Sequence, residues 1–444
     1  MFLFRVLKYL LTMKTVESNS KKYDVTIFGG GPAGVACAYT AVKLGLKTLL
    51  VEKRNCLGGQ ITNALVVPMM QSATENINTD FYKKLIEYSK ENDAQITYSD
   101  ENDGWFNPVL LKIVFERMLK DVGADILFEA ELDNFNSDNK FVKNVTVKTA
   151  FSSKILSIPI YSKYYVDATG DSNFCKFLNC DFIDDNKKFQ PDSLRFIVSN
   201  IDLEKFSAQI LKLDKDRNVT TAVSLNKAVH LSTAYTSDIG KNWGLSEVFE
   251  RALEEGYLKP SDTVYFQVFT VANMPNSLAF NCPRLQNYSP DSPFSYSDAL
   301  IEARESIFRL HNFMKKYFEG FENSFITQIA DMTGVRVSMR PKTKYIYKLS
   351  DLTSGKTFEN PVLAGDYPVD IHSNNRNSSV LQKFEKYYLP VECLICSDWG
   401  NVFVAGRNVG AEFEAQAALR IQKSCLSMGE GLAKYLKKIS GNPN

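Results

Sequence analysis

Along this chain the spacing of apolar positions changes between two periods, and each change marks an element. Asp24–Phe28 is a short apolar run and predicts a buried strand. Pro32 to Leu44 scans as helix, and Thr48–Val51 is a second apolar strand closed by Glu52. Further on, helices are expected over Lys83–Glu91 and over Pro108–Val122, where Leu110, Leu111, Val114 and Met118 recur near helical spacing. Ala124–Ala130 reads as another strand of a parallel sheet. Phe141–Thr149 and Ile155–Tyr161 alternate enough for a hairpin, and Tyr164–Asp167 returns as a strand into a tight turn at Gly170. The middle of the chain changes character. Strands are expected at Leu194–Val198 and Thr263–Val271, and helices at Glu247–Gly256 and Tyr296–Tyr317. The pattern then tightens into a strand over Asn401–Ala405, followed by one long helix over Ala411–Lys438, softly broken at Gly429 and Gly431.

The first strand, helix and second strand enclose Gly29-Gly30-Gly31-Pro32-Ala33-Gly34. Gly29 allows the tight turn, Gly31 lets backbone approach a pyrophosphate, and Gly34 lets the helix lie close to the strand. Free N–H groups at the helix start favour phosphate charge. Glu52, 18 residues beyond Gly34, can accept from a ribose hydroxyl. A glycine trio alone is weak evidence. Here the flanking strand, the helix and the acid agree with dinucleotide binding.

Composition narrows the classes. The chain has 444 residues, 44% hydrophobic, with 52 basic and 51 acidic side chains. A net charge of +1 gives no electrostatic case for nucleic acid or an anionic membrane. Eight scattered cysteines form no secretory framework and point to a reducing, cytoplasmic setting. Cys393 and Cys396 form the one C-x-x-C, which reads as incidental, with a redox pair as the other option. The opening MFLFRVLKYLLT is too short to span a bilayer and lacks a cleavage signal. Met13 is a plausible alternative start, and an amphipathic surface helix is the alternative reading of the segment.

Three strand-to-glycine signals lie far apart, at 29–34, 168–171 and 404–407. With VTIFGGGPAGVACAYTAVKLG, VEK, LGG at 57–59, VDATGD, SLRF, DYPVDIH, NVFVAGRNVG and ALRIQKSCLSMGEGLA, the chain resembles the FAD-dependent oxidoreductase family. That family sits in the glutathione-reductase-like flavoprotein superfamily, near fumarate reductase and heterodisulfide reductase flavin subunits. The resemblance implies an α/β fold: a discontinuous Rossmann-like FAD-binding domain with a parallel sheet, plus an inserted α+β cap or substrate domain. The expected division is a flexible segment 1–20, the FAD domain over 21–180 and 351–444, and the insertion over 181–350.

The resemblance further implies FAD, with Gly29, Gly31, Pro32, Ala33 and Gly34 at its pyrophosphate and Glu52 and Lys53 at the adenosine ribose. Gly58 and Gly59 would pass near the flavin side, Gly170 and Asp171 would form the returning loop, and Gly406 and Arg407 would lie near the ribitol or the pyrophosphate. The helix after them would point at the flavin ring. Relatives carry a Gly-x-Arg-Glu-x-Arg-Arg-like stretch. Here it reads Gly334-Val335-Arg336-Val337-Ser338-Met339-Arg340, so the acid is replaced by Val337.

Candidate chemistry centres on few residues. Of three histidines, His372 follows Asp370 with one residue between, so both share a face of an extended strand, and the Asp would raise the basicity of the His. A structural His satisfied by backbone is the alternative. Arg336 and Arg340 would face the same way on a helix and clamp a carboxylate, or else sit in solvent or face FAD phosphate. Tyr387 and Tyr388 are expected to pack, with lining the flavin as the alternative. No second glycine fingerprint and no ferredoxin-like cysteine spacing occurs, so electrons must pass to or from a separate acceptor or donor. The expected function is hydride transfer between a small organic substrate and flavin, with no membrane span and an open oligomeric state. The alternatives are an NAD-dependent dehydrogenase and a non-catalytic scaffold that binds a partner protein.

Overall fold

A computed structural model describes residues 21–441, apart from 71, 73–75, 99–100, 152–153, 185–187, 217–219, 226–227, 234–242, 290–291, 373–379 and 383–384. The expectations for residues 1–20 therefore fall outside the described residues.

The chain opens with β1 (Lys22–Phe28), α1 (Pro32–Lys43) and β2 (Thr48–Val51). Then come α2 (Asp80–Glu91), α3 (Pro108–Val122), β3 (Asp125–Leu127), β4 (Ala130–Asp138), β5 (Phe141–Phe151) and β6 (Lys154–Asp167). One sheet runs in the order β3-β2-β1-β6-β5-β4, and β7 (Val402–Val404) adds to it beside β6. Pairings β3–β2, β2–β1, β1–β6 and β6–β7 are parallel, whereas β5 is antiparallel to both neighbours.

The buried parts of the short parallel strands are mostly apolar because both faces are covered there. Every residue of β2 and β7 is buried, as is Val25–Phe28 of β1. The expected hairpin strand and the returning strand prove to be one element. β6 pairs with β5 through Ile160 and then with β1 from Tyr161 onward, so a single long strand joins the antiparallel flap to the parallel core.

Local chemistry sets the ends of α3. Asn107 accepts from the N–H groups of Val109 and Leu110 at 3.0 and 3.3 Å, Pro108 occupies the first turn, and Gly123 closes the helix with φ +86°. α1 is built of small residues because it is packed on both sides, and Ala33 to Ala41 are all buried.

A second sheet of six strands holds β8 (Phe196–Ser199), β9 (Thr220–Leu225), β10 (Ala228–Thr233), β11 (Val268–Thr270), β12 (Ser277–Phe280) and β13 (Phe325–Ile329). Its order is β9-β10-β11-β12-β8-β13, and every pairing is antiparallel. The long helix α4 (Pro293–Tyr317) packs its buried face into the same apolar core. That core runs without a break from α1 to the second sheet.

The C-terminal helical pattern differs from expectation. It divides into α5 (Phe413–Leu419) and α6 (Gln422–Ser440), with the break at Arg420 and Ile421 rather than at the glycines. Gly429 and Gly431 lie within α6, where they permit contact. A Cβ on Gly429 would meet Ala33 O at 2.1 Å, and one on Gly431 would meet Val362 Cβ at 2.8 Å. Among the described residues no helix is long and apolar enough to cross a membrane.

Candidate functional site

Three strand ends meet on one border of the parallel sheet. Phe28 pairs with Asp167, and Asp167 pairs with Val404, so β1, β6 and β7 finish side by side. The chain turns at Gly29 (φ +102°), Gly170 (φ +75°) and Gly406 (φ +105°) just beyond those ends. Gly34 packs against the first turn, where a Cβ would sit 1.9 Å from Gly29 O. At Gly31 a Cβ would meet nothing within 4 Å, because the chain faces open space there.

That space is a cavity of about 960 Å³. Its first end is lined by Gly29, Gly31, Pro32, Ala33, Glu52, Lys53, Gly59, Gly170, Asp171, Gly406 and Arg407. Of the expected cofactor residues only Gly34 and Gly58 are not in the lining, and both act behind it. Gly58 donates its N–H to Gly30 O at 2.8 Å. Glu52 braces the glycine loop, accepting from Gly30 N at 2.6 Å and from Arg54 N at 2.9 Å. A carboxylate has capacity for further donors beyond these two.

The returning loop is held by Asp167, which sequence reasoning treated only as the strand end. Its buried carboxylate accepts from Thr169 N, Thr169 Oγ1 and Cys175 N at 3.0, 2.7 and 2.8 Å. Burial raises its pKa, and these hydrogen bonds oppose the rise. Asp171 is ion-paired with Arg407 at 2.7 Å. Burial pushes the Asp171 carboxyl up, but the Arg407 charge together with hydrogen bonds from Arg407 and Ser338 more than offsets this and leaves it low. Arg407 also donates to Ser338 Oγ at 3.0 Å, tying the third strand end to the 334–340 stretch.

The far end of the cavity is polar and mostly contributed by the second sheet. Arg195 precedes β8, Tyr265, Gln267 and Phe269 lie before and on β11, and Asn281 and Arg284 follow β12. Arg336, Tyr367, Asp370, His372 and Arg420 complete it. A chain of contacts crosses this end. Arg284 Nη2 donates to His372 Nδ1 at 2.8 Å, His372 Nε2 lies 3.1 Å from Asp370 Oδ2, and Arg420 Nη2 lies 3.0 Å from the same oxygen. A guanidinium has only donors, so Nδ1 accepts and the proton sits on Nε2 toward Asp370.

Asp370 does pull the His372 basicity up, as expected, but the net shift is the opposite. Burial and the Arg336 charge push the His372 imidazole down to about 3, outweighing the opposing pull of Asp370. Both ring nitrogens are engaged. Asp370 itself is held well below the usual carboxylate range. Burial opposes this, and His372 and Arg420 more than compensate.

The expected helix carrying Arg336 and Arg340 is also absent, since this stretch has no regular helical structure. Arg336 lines the cavity and donates to Pro191 O at 2.5 Å and Ser193 Oγ at 3.1 Å. Burial lowers it to about 9, helped by repulsion from Arg284, Arg420 and Arg195. Arg340 does not line the cavity. It donates to Ala411 O and Ser338 O at 2.8 and 2.9 Å and fixes the chain behind. The two arginines thus do not form a clamp.

A family model for FAD dependent oxidoreductases matches residues 24–435. The chain belongs to the FAD dependent oxidoreductase family. The protein is thus a flavoenzyme, and its cofactor is FAD. Among curated relatives, dihydrolipoyl dehydrogenase 2 of Arabidopsis thaliana is 45% identical over 60 residues, 14% of this chain and 12% of that protein. Digeranylgeranylglycerophospholipid reductase of Methanococcus vannielii is 36% identical over 74 residues, 17% of this chain and 18% of the relative. These matches span under a fifth of either relative's length. A flavoprotein/dehydrogenase structure from Cytophaga hutchinsonii aligns over 95% of this chain and 80% of its own, at 14% identity and TM-score 0.47. A geranylgeranyl bacteriochlorophyll reductase-like structure from Thermoplasma acidophilum aligns over 95% and 79%, at 14% identity and TM-score 0.44.

The residues of this flavoenzyme fit the cofactor its family uses. The open space at Gly31, the three strand ends in register and the continuous cavity accommodate an extended dinucleotide. Ile421, Gln422 and Cys425 place the first turn of α6 in the cavity wall, and the helix dipole is positive at that end. Sequence reasoning missed Arg195, Arg284, Arg420 and Tyr265. Arg195 and Arg420 lie inside matched motifs, SLRF and ALRIQ, but nothing local marks them as neighbours.

The cysteines also regroup. Cys396 lies 3.8 Å from Cys180, sulfur to sulfur, and all eight thiols are free and buried. Tyr387 is buried against Tyr367 O and Ala418 O, a packing role as expected.

Proposed function

We propose that this flavoenzyme transfers a hydride between a small organic substrate and its FAD. The observation that carries the reading is one continuous cavity, which joins the glycine loop to a chamber of arginine, tyrosine, asparagine and histidine. Backbone at Gly29, Gly31, Pro32 and Ala33 would hold the diphosphate, with Glu52 and Lys53 at the ribose. Gly59, Gly170, Asp171, Gly406 and Arg407 would border the flavin half. When bound, FAD supplies two-electron redox chemistry at its ring. The α6 dipole favours negative charge beside it.

The chain's own residues would bind and orient the substrate. Tyr265 OH donates to Gln267 Oε1 at 2.9 Å and Asn281 Nδ2 donates to the same oxygen at 2.7 Å, giving a fixed polar wall. His372 stays neutral and Asp370 stays ionised at neutral pH, so this pair holds the electrostatics steady rather than exchanging protons. The division into an FAD-binding part over 21–180 and 351–444 and a covering part over 181–350 is part of this proposal. The arrangement of the two sheets around the cavity supports it.

An anaerobic screen tests the reaction. Purified protein is mixed with candidate alcohols, acids and amines while the flavin band is followed. Bleaching by one substrate class, reversed by an added electron acceptor, is the expected result. Flavin that no substrate reduces and no acceptor reoxidises after photoreduction would favour a non-catalytic scaffold. A colourless protein that binds NAD would favour a dehydrogenase.

A further inference from the structure

We propose that the substrate is a small organic polyanion, carrying two or more carboxylate or phosphate charges, that docks among Arg195, Arg284, Arg336 and Arg420. The inference rests on reading the cavity as the joint seat of FAD and substrate.

Charge is distributed unevenly along the cavity. Among the lining residues on the parallel-sheet side, three acids (Glu52, Glu131, Asp171) are matched by three bases (Lys53, Arg54, Arg407), and the formal charges cancel. At the far end four arginines share the lining with one carboxylate, Asp370. Asp370 is committed to Arg420 at 3.0 Å. The His372 ring stands between Asp370 and Arg284, so the carboxylate reaches that guanidinium only through a neutral group. Asp192, outside the lining, supplies a second negative charge near Arg336. Among the described residues, arginines at this end still outnumber the carboxylates Asp370 and Asp192.

Among the described residues neither Arg336 nor Arg195 has a carboxylate at ion-pair distance. Arg336 donates to a carbonyl and a hydroxyl, and Arg195 donates to the Leu65 carbonyl at 3.3 Å. The buried Nε groups of Arg195 and Arg420 have no acceptor among the described residues. Gathering like charges in a desolvated space is unfavourable without a counter-charge. Arg284 is further held over the Tyr265 ring, 4.2 Å from its centre, so the cluster is fixed before any ligand arrives. Planar guanidinium forks suit carboxylate and phosphate oxygens equally. The FAD diphosphate does not fulfil this role, since its cradle at Gly29–Ala33 lies at the neutral end.

The test is a titration of the FAD-loaded protein with succinate, citrate, glycerol 3-phosphate and dimethyl succinate, read as perturbation of the flavin band. The expected result is saturable binding of at least one of the three anions, weakening steeply with added salt, and no response to dimethyl succinate. Preference between carboxylate and phosphate assigns the acid class. Arg336→Gln and Arg195→Gln should each weaken that binding about tenfold or more, with Arg195→Lys in between. Equal binding of dimethyl succinate and succinate would overturn the proposal. So would an unchanged Kd in both glutamine variants, or no binding of any anion. FAD released from each variant on denaturation is measured in parallel. If the wild-type protein carries no FAD, the parent reading fails, and the same titration followed by tryptophan fluorescence still decides this one.

Discussion

Gly31 is the residue on which the nucleotide end turns. Because nothing fills the space a Cβ would occupy there, Gly31→Val should fold normally and yet intrude on the groove. The variant is expected to lose FAD affinity by about tenfold or more with an unchanged melting curve for the apoprotein. Equilibrium dialysis against FAD checks it. His372 gives a pH signature. Its folded pKa of about 3 lies below the unfolded value, near 6.5. Between these values the unfolded chain binds the extra proton, so stability falls as pH drops from about 6.5 toward 3. His372→Gln should flatten that slope by close to one proton, about 1.4 kcal/mol per pH unit. Urea unfolding at pH 4.5, 5.5 and 6.5 measures it, and equal slopes in both proteins would count against the assignment. Side-chain pairs at this scale were only half legible. Asp370 and His372 were found from spacing, but the sign of the net shift was not, because the burial that dominates it and the Arg336 and Arg284 charges come from distant segments.

At the scale of elements, α6 organises more than its own segment. It lies against α1 so closely that a methyl at Gly429 would strike the Ala33 carbonyl. Gly429→Ala should cost about 1–3 kcal/mol despite its better helix propensity, as for overpacked cores. Next to it, Glu430 is buried, accepts from Phe81 N at 2.8 Å and pairs with Lys434 at 2.6 Å. Phe81 lies in the first turn of α2, whose N-cap position Thr79 makes no side-chain cap. Glu430→Ala leaves that N–H buried without an acceptor and should cost about 1–3 kcal/mol. Denaturant melts of the two variants check both values. Here the sequence misled for a physical reason. Glycines in a helical pattern read as breaks, whereas in this chain they mark contact between helices. The real break at Arg420 and Ile421 carries neither glycine nor proline, and it gives α6 its own N-terminus at the cavity.

For the whole molecule, the parallel sheet was readable because each strand and its glycine turn are local signals. Strand–glycine–helix at 24–44 and strand–glycine at 402–406 announce themselves within a few residues. Their meeting at Phe28, Asp167 and Val404 follows from parallel register. The second sheet was not readable. Its order β9-β10-β11-β12-β8-β13 brings residues 196–199 between 277–280 and 325–329, a pairing that no local pattern specifies. The arginine cluster was hidden for the same reason, since its members enter the cavity from segments far apart in the chain. The most direct test of the account is the cofactor released when the purified protein is denatured. The account predicts FAD, close to one per chain, accounting for the visible spectrum. Recovery of no flavin from protein refolded with excess FAD would contradict it.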